Sequence, residues 1–405
     1  MSEKFAHPAH YKGTNSLKWE FRVDNGTISP WDGADPALGE DQVLPMWVAD
    51  MDFTAADPIR RAVEKRAAHG VFGYATKSQS YLDAVKHWME KRHNWSIDTD
   101  WIVPTAGVVP GIHLIVKRLT RPGDKILIQR PVYHPFTYAA INNDRISESN
   151  SLTFDGSRYH MDFDDLEVKA GDPLARIALL CSPHNPVGRI WTRDELTRVA
   201  EICCRHDVIV VADEIHADLI LPGYEFFAYG RLDPALRAKS IICTAPSKSF
   251  NVAGLMTANL IIEDPELRDQ VRMEIRATGL YTMSPFGIVA TEAAYTEGEP
   301  WLNEAIGHIA ANIVHVRTYL EEHLPMIKAV DCEATYLLWL DCRALGLEHA
   351  ALKSLMLEKA KIYLDEGQIF GEEGTGFMRI NLACSREMVD AALARLSAAV
   401  ETLSA

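Results

Sequence analysis

Short apolar runs rich in β-branched residues recur through the middle of the chain, at 125–129, 176–181, 208–212, 240–244 and 255–262. Each has the length of a strand, and none alternates apolar with polar residues, the pattern of strands covered on both faces in a parallel sheet. The segments between them carry helical punctuation. Asp57 followed by Pro58 opens one helix and Gly70 closes it, because proline fits the first helical turn and glycine the left-handed position past the last. Thr192-Arg-Asp-Glu195 forms a capping box that opens another. Arg121-Pro-Gly-Asp124 supplies a turn between a helical and a strand signal. Helices and strands that alternate in this way predict an α/β domain around a mostly parallel sheet. From about Trp301 the rhythm changes: a long helical pattern leads to strands at 335–341 and 377–382, with a helix between them and one after. That predicts a second, smaller α+β lobe.

Composition narrows the function without choosing it. A chain of 405 residues exceeds the usual size of one hydrophobic core, in keeping with two lobes. The apolar fraction of 47% and charged fraction of 24% exclude a disordered or fibrous protein. Forty-one Lys and Arg against 56 Asp and Glu give a net charge of −15, which repels phosphate backbones and anionic lipid, so neither nucleic acid nor membrane is an expected partner. Residues 1–15 are polar and lack the layout of a secretory signal, and the expected location is the cytoplasm. Seven cysteines without a C-x-x-C read as buried thiols, since no activating His accompanies any of them. No metal-ligand spacing is present, and His7 and His10 are expected to be solvated.

The chemistry concentrates at strand ends. The strand signal at 240–244 runs into Ala245-Pro-Ser-Lys-Ser-Phe-Asn251, which puts Ser247 and Lys248 at its end. Another apolar run ends in Asp213-Glu214, and a third in Asn185-Pro186. Taken singly, these are a lysine reaching water, a turn carboxylate and a turn amide. In a parallel sheet, however, the three ends share one edge, where ligands bind. A lysine for an imine link, a carboxylate to hold a pyridine nitrogen protonated and an amide for a phenolic oxygen meet the needs of pyridoxal 5′-phosphate (PLP).

The order N-P-x-G, D-E, S-K resembles fold-type I PLP enzymes of the class I/II aminotransferase superfamily, over nearly the whole chain. More narrowly, Leu44-Pro-Met-Trp-Val-Ala-Asp-Met-Asp-Phe53, Asp213-Glu-Ile-His216, Ala245-Pro-Ser-Lys-Ser-Phe-Asn251 and Gly376-Phe-Met-Arg-Ile-Asn-Leu-Ala383 resemble the MalY/PatB-type carbon–sulfur β-lyases. The resemblance implies an aspartate-aminotransferase-like fold: a large PLP-binding domain at 56–300, and a small domain built from 1–55 and 301–405. It also implies a homodimer with shared active sites. Tyr133 would stack on the pyridine ring, Tyr74 would reach the partner's cofactor phosphate, and His216 would lie beside the cofactor. Ser247 and the amides of Ala106, Gly107 and Val108 would hold the phosphate, where a helix N-terminus favours an anion. Arg379 would fork onto the substrate carboxylate, with Asn185 and Tyr133 beside it. Two departures from the wider superfamily, Ala245 for Ser and Met256 for a phosphate-binding Arg, leave the phosphate cradle less cationic.

The implied activity is α,β-elimination from L-cystathionine or another L-cysteine thioether, giving pyruvate, ammonia and a thiol, with Lys248 as base and a small amino acid as the substrate. An aminotransferase would use the same lysine, aspartate and asparagine. A third reading is a regulatory protein that keeps the lyase scaffold to bind a transcription factor.

Overall fold

A seven-stranded sheet lies within the unit formed by Ala55–Asn185 and Arg189–Asn303. The computed structural model describes residues 5, 11, 13–24, 26–31 and 42–403, so His7 and His10 lie outside the described residues. The strands are β1 (Ile102–Thr105), β2 (Lys125–Ile128), β3 (Ile146–Ser149), β4 (Ala175–Cys181), β5 (Ile209–Asp213), β6 (Ser240–Thr244) and β7 (Ala258–Ile261). Their spatial order is β1-β7-β6-β5-β4-β2-β3. Only β7 runs against its neighbours; every other adjacent pair is parallel. The C-terminal ends of β4, β5 and β6 therefore share one edge, and Asp213 stands in register with Cys181 on one side and Cys243 on the other.

Local chemistry accounts for the boundaries. Strand β7 starts later than its apolar run because Ala253–Leu255 form a 3-10 turn and Met256 takes a left-handed φ of 54°, which breaks the extended chain. The helices are α1 (Asp57–Ala68), α2 (Gln79–His93), α3 (Val108–Leu119), α4 (Arg193–Arg205), α5 (Pro265–Ala277) and α6 (Pro285–Glu297). Both halves of the capping box form at α4: Glu195 N donates to Thr192 Oγ1 at 3.2 Å, and Thr192 N donates to Glu195 Oε2 at 2.7 Å. Val108, Ile112 and Ile115 of α3 and Leu267, Val271 and Ile275 of α5 pack into one core with Ile126, Ile128, Val211 and Ile241 of the sheet. Each such side chain contributes roughly 1.5–3 kcal/mol by leaving water. Helix α6 lies so close to the 255–257 segment that a Cβ on Gly287 would fall 1.8 Å from Thr257 Oγ1.

The other unit comprises Met1–Thr54, Pro186–Gly188 and Glu304–Ala405. Its strands β8 (Lys328–Ala329), β9 (Leu337–Asp341), β10 (Asp365–Glu366) and β11 (Phe377–Asn381) form an antiparallel sheet in the order β8-β9-β11-β10. The 44–53 segment is fastened to it by polar side chains. Asn381 Nδ2 donates to the carbonyls of Val48 and Asp50, each at 2.6 Å, and Tyr336 OH donates to Ala49 O at 2.9 Å. Lys18 and Asp52 form a buried ion pair at 3.0 Å, and Trp19 Nε1 donates to the same carboxylate oxygen at 2.8 Å. The three-residue excursion at 186–188 ends on Gly188, whose carbonyl accepts from Glu333 N and Ala334 N at 2.8 and 3.1 Å. Only glycine suits that position, since φ is +71° and a Cβ would stand 2.9 Å from Cys332 Sγ. Among the described residues no helix is long and apolar enough to cross a membrane.

Candidate active site

Three loops leave the shared edge of the large sheet. Strand β5 ends in Asp213, which is buried; Ile215 N donates to its Oδ1 at 3.1 Å, and Ser182 N donates to its backbone carbonyl at 3.0 Å. Burial pushes the Asp213 carboxyl up to about 7, against the opposing pull of the Ile215 N–H and the Lys248 ammonium. Glu214 beside it is pushed by burial up to about 8, although Tyr229 N donates to its Oε1 at 2.6 Å. Two adjacent carboxyls at a buried strand end are costly unless a cation or a proton accompanies them.

Strand β6 ends at Thr244, and Lys248 sits not on the strand end itself but on a one-turn helix, Pro246–Ser249. Pro246 begins that turn because its fixed φ suits the first helical position. The turn has two faces. Ser247 and Lys248 are half-buried on one, while Ser249 and Phe250 are wholly buried on the other. The Lys248 ammonium is one of the charges that favour the ionised form of Asp213.

Strand β4 ends at Cys181 and continues through buried Ser182, His184 and Asn185. Asn185 N donates to Cys181 Sγ at 3.4 Å, and the Asn185 carbonyl accepts from Tyr133 N at 3.0 Å. His184 Nε2 donates to Pro131 O at 2.9 Å. Burial pushes the His184 imidazole down to about 4, so it bridges these loops as a neutral donor. The Tyr133 loop is thus tied to the Asn185 loop by two bonds. Ser182 Oγ and Thr244 Oγ1, at two of the strand ends, are buried with no hydrogen-bond partner among the described residues.

At the edge of the sheet, β1 passes through Ala106 and Gly107 into α3, and Thr105 Oγ1 donates to Gly107 O at 3.0 Å. No side chain caps α3, which leaves the first N–H groups from Val108 onward without intrahelical acceptors. His216 is buried in the turn after β5, its carbonyl accepting from Leu219 N at 2.9 Å. Tyr74 does not join the strand ends of its own chain; it is 97% exposed, next to Ala75, which forms an isolated antiparallel bridge with Met283.

Arg379 belongs to the other unit, buried on β11. Its Nη2 donates to Trp47 O at 3.0 Å and pairs with the carboxylate of Asp365, the residue directly opposite on β10. Its guanidinium lies over the Phe370 ring, 4.9 Å from the centroid. Asp365 is a partner that sequence reasoning missed, because only strand pairing reveals it. Asp218 was missed as well, although a carboxylate five residues beyond Asp213 in a mostly apolar run was a signal; it is buried and bonded to Ser249.

Residues 44–396 match the family model for aminotransferase class I and II. The chain is 41% identical to cystathionine β-lyase PatB of Bacillus subtilis over 95% of its own length and 100% of PatB. It is 32% identical to protein MalY of Escherichia coli, over 92% of this chain and 95% of that one. Among solved structures, cystalysin from Treponema denticola, which contains a pyridoxal 5′-phosphate cofactor, superposes with a TM-score of 0.92 at 39% identity, covering 100% of both chains. The PLP-bound C–S lyase from Staphylococcus hominis in complex with L-cycloserine gives a TM-score of 0.88 at 28% identity, over 99% of this chain and 98% of that one. With a match that spans most of its length and relatives that share its whole fold, the chain belongs to the aminotransferase class I and II family.

Proposed function

We propose that the chain is a PLP-dependent carbon–sulfur β-lyase that eliminates the sulfur substituent from L-cystathionine or related L-cysteine thioethers, releasing pyruvate, ammonia and a thiol, which is homocysteine from cystathionine. The observation that carries the reading is full-length likeness to a cystathionine β-lyase in a chain whose Lys248, Asp213 and Asn185 leave three adjacent strand ends.

The donor set fits the cofactor. Asp213 is buried at a cost that a protonated ring nitrogen beside it would offset, since an opposite charge restores the ionised carboxylate. The uncapped start of α3 offers N–H groups to a phosphate. When bound, PLP supplies an imine link to the substrate amino group and a protonated ring that accepts the electron pair left on the α-carbon. In this reading Lys248 Nζ carries the cofactor and, once released, takes the α-proton as general base. Asp213 keeps the proton on the ring nitrogen, while Asn185 donates to the phenolic oxygen and Tyr133 covers the ring. Ser247 and the amides of Ala106, Gly107 and Val108 orient the phosphate, and His216 supports the cofactor side of Asp213. Arg379 presents its planar guanidinium to the α-carboxylate, with the thiol leaving from the β-carbon.

The test is direct. Purified holoenzyme given L-cystathionine should form pyruvate and thiol in equal amounts whether or not a keto acid is added. Amino-group transfer that depends on the keto acid, without pyruvate, would identify an aminotransferase and end the lyase reading.

The same reading includes a homodimer. Tyr74, 97% exposed in its own chain, suits a site in a second copy of the chain. Coexpressed Tyr74→Phe and Lys248→Ala subunits, each inactive as a homodimer, should regain part of the wild-type activity as hybrids, because one site then keeps both groups. Purified hybrids with no recovery would show that Tyr74 serves no shared site.

A further inference from the structure

A buried polar cluster under Lys248 has no part in the roles above. Asp218 Oδ1 accepts from Trp88 Nε1 at 3.1 Å and from His93 Nε2 at 2.9 Å, and Asp218 Oδ2 accepts from Ser249 Oγ at 2.6 Å. Trp88 and His93 lie on α2, and Ser249 follows Lys248 directly. All four are buried, with Ser249 at 0% exposure. Burial pushes the Asp218 carboxyl up, but the bonds from His93 and Ser249 bring it below the usual carboxylate range, so it is ionised at neutral pH. Arg92 Nη2 reaches the Asp218 backbone carbonyl at 3.4 Å. Next to this cluster, Phe250 packs edge-on against Trp88 and Tyr295 and stacks on Trp301. Gly298 meets Phe250 so closely that a Cβ there would lie 2.6 Å from Phe250 Cε1.

The turn that carries Lys248 needs such an anchor. A helix of four residues is far below the length that holds itself in water. Its backbone support consists of Phe250 N donating to Pro246 O at 2.9 Å and Val252 N donating to Ser247 O at 3.1 Å. Lysine adds a long, rotatable stem, so the direction of the amine depends on how firmly the Cα–Cβ bond is set. Apolar packing alone would hold the turn as tightly, without the desolvation cost of a charged cluster. What the cluster adds is direction, because a carboxylate that accepts from three fixed donors has one arrangement.

We propose that Asp218 is a positioning residue for Lys248: anchored on His93 and Trp88 of α2, its carboxylate holds Ser249 and thereby sets the turn that aims the Lys248 amine. The proposal rests on the reading of Lys248 as the lysine that carries the cofactor and acts as base.

Ser249→Ala in the holoenzyme removes one oxygen and leaves the packing otherwise intact. It should lower kcat by on the order of tenfold to a hundredfold with KM unchanged, the signature of a misaimed base. The pH midpoint of the bound cofactor's visible absorption should shift as well, since that midpoint reports the surroundings of the lysine nitrogen. Asp218→Asn should move both readouts in the same direction, and the double variant should be no worse than Asp218→Asn alone, because both changes cut one link. A folded Ser249→Ala protein with wild-type kcat and wild-type midpoint overturns the proposal, as does one that loses thermal stability only. Borohydride reduction and peptide mapping of the same samples separate the two readings. A pyridoxyl tag on another lysine would sink the assignment of Lys248 together with this proposal. A tag on Lys248 with unmoved readouts would sink the proposal alone.

Discussion

Lys248→Ala should slow elimination from L-cystathionine by at least about a thousandfold, the largest effect of any single substitution in this chain. A positioned general base is worth roughly a hundred- to ten-thousandfold, and in the role proposed for Lys248 the alanine variant also loses the amine that carries the cofactor. Glu214, the nearest other ionisable side chain in the sequence to Asp213, is pushed by burial up to about 8 and engaged by the Tyr229 amide. The variant should still fold, since Lys248 is half-buried on the open face of its turn and the anchoring contacts are made by Ser249 and Phe250. The measurement is exchange of the substrate α-proton with deuterated water, alongside pyruvate release. Wild-type exchange in the alanine variant would place the base elsewhere.

Asp213→Asn comes second, with elimination expected to slow by on the order of a hundredfold or more, as for the loss of one preorganised charge interaction. Asparagine has nearly the same size and can still accept from Ile215 N, so fold and cofactor should survive. An α-deuterated substrate should show an isotope effect at least as large as in wild type, because the carbanion-forming step bears the loss. Turnover at the wild-type rate would reduce Asp213 to a turn-capping carboxylate. The same substitution has a signature in the cofactor-free protein. Burial raises the folded carboxyl from 3.8 to about 7, so between those values the native state holds a proton that the unfolded chain has released. Stability therefore falls as pH rises through that window, by a few kcal/mol in all, and levels off above it. Glu214 adds a similar decline that extends to about 8. Asp213→Asn should roughly halve the slope between pH 4.5 and about 7 in urea titrations, where both carboxyls contribute, and leave the decline from there to about 8. With the cofactor bound, the cationic ring should offset the Asp213 share.

Much of this architecture could be read along the chain because buried strands leave uninterrupted β-branched runs and helix caps leave polar punctuation. The run at 240–244 is strand β6 without adjustment, and Thr192 and Glu195 make both bonds of their box. Boundaries were less legible where backbone geometry overrides hydrophobicity. Leu255 looks like strand, yet it ends a 3-10 turn, and the left-handed Met256 delays β7 to Ala258. Lys248 likewise sits one turn past its strand, because Pro246 starts a helix before the chain can extend further. Least legible were the supports of the site. Trp88 meets Asp218 across 130 positions, and Asp365 meets Arg379 only through the register of β10 and β11. No periodicity records such pairs; they exist once the elements have packed.

The seven cysteines have a bearing on self-protection. Six are buried, and burial pushes the thiols of Cys181, Cys203, Cys243, Cys332, Cys342 and Cys384 well above the ordinary range. Mixed-disulfide formation needs both access and a thiolate, and these six offer neither. Thiols released by a lyase oxidise in air to disulfides, and a protein thiolate exchanges with such a disulfide by expelling one of its two thiols. Here such exchange is confined to Cys204, the one exposed thiol of the seven, which lies at the end of α4 ahead of β5 and bonds to Leu236 O ahead of β6, at the edge of the sheet opposite the one where Asp213 and Thr244 end their strands. Thiol exchange at Cys204 would mark the surface and leave the chemistry untouched.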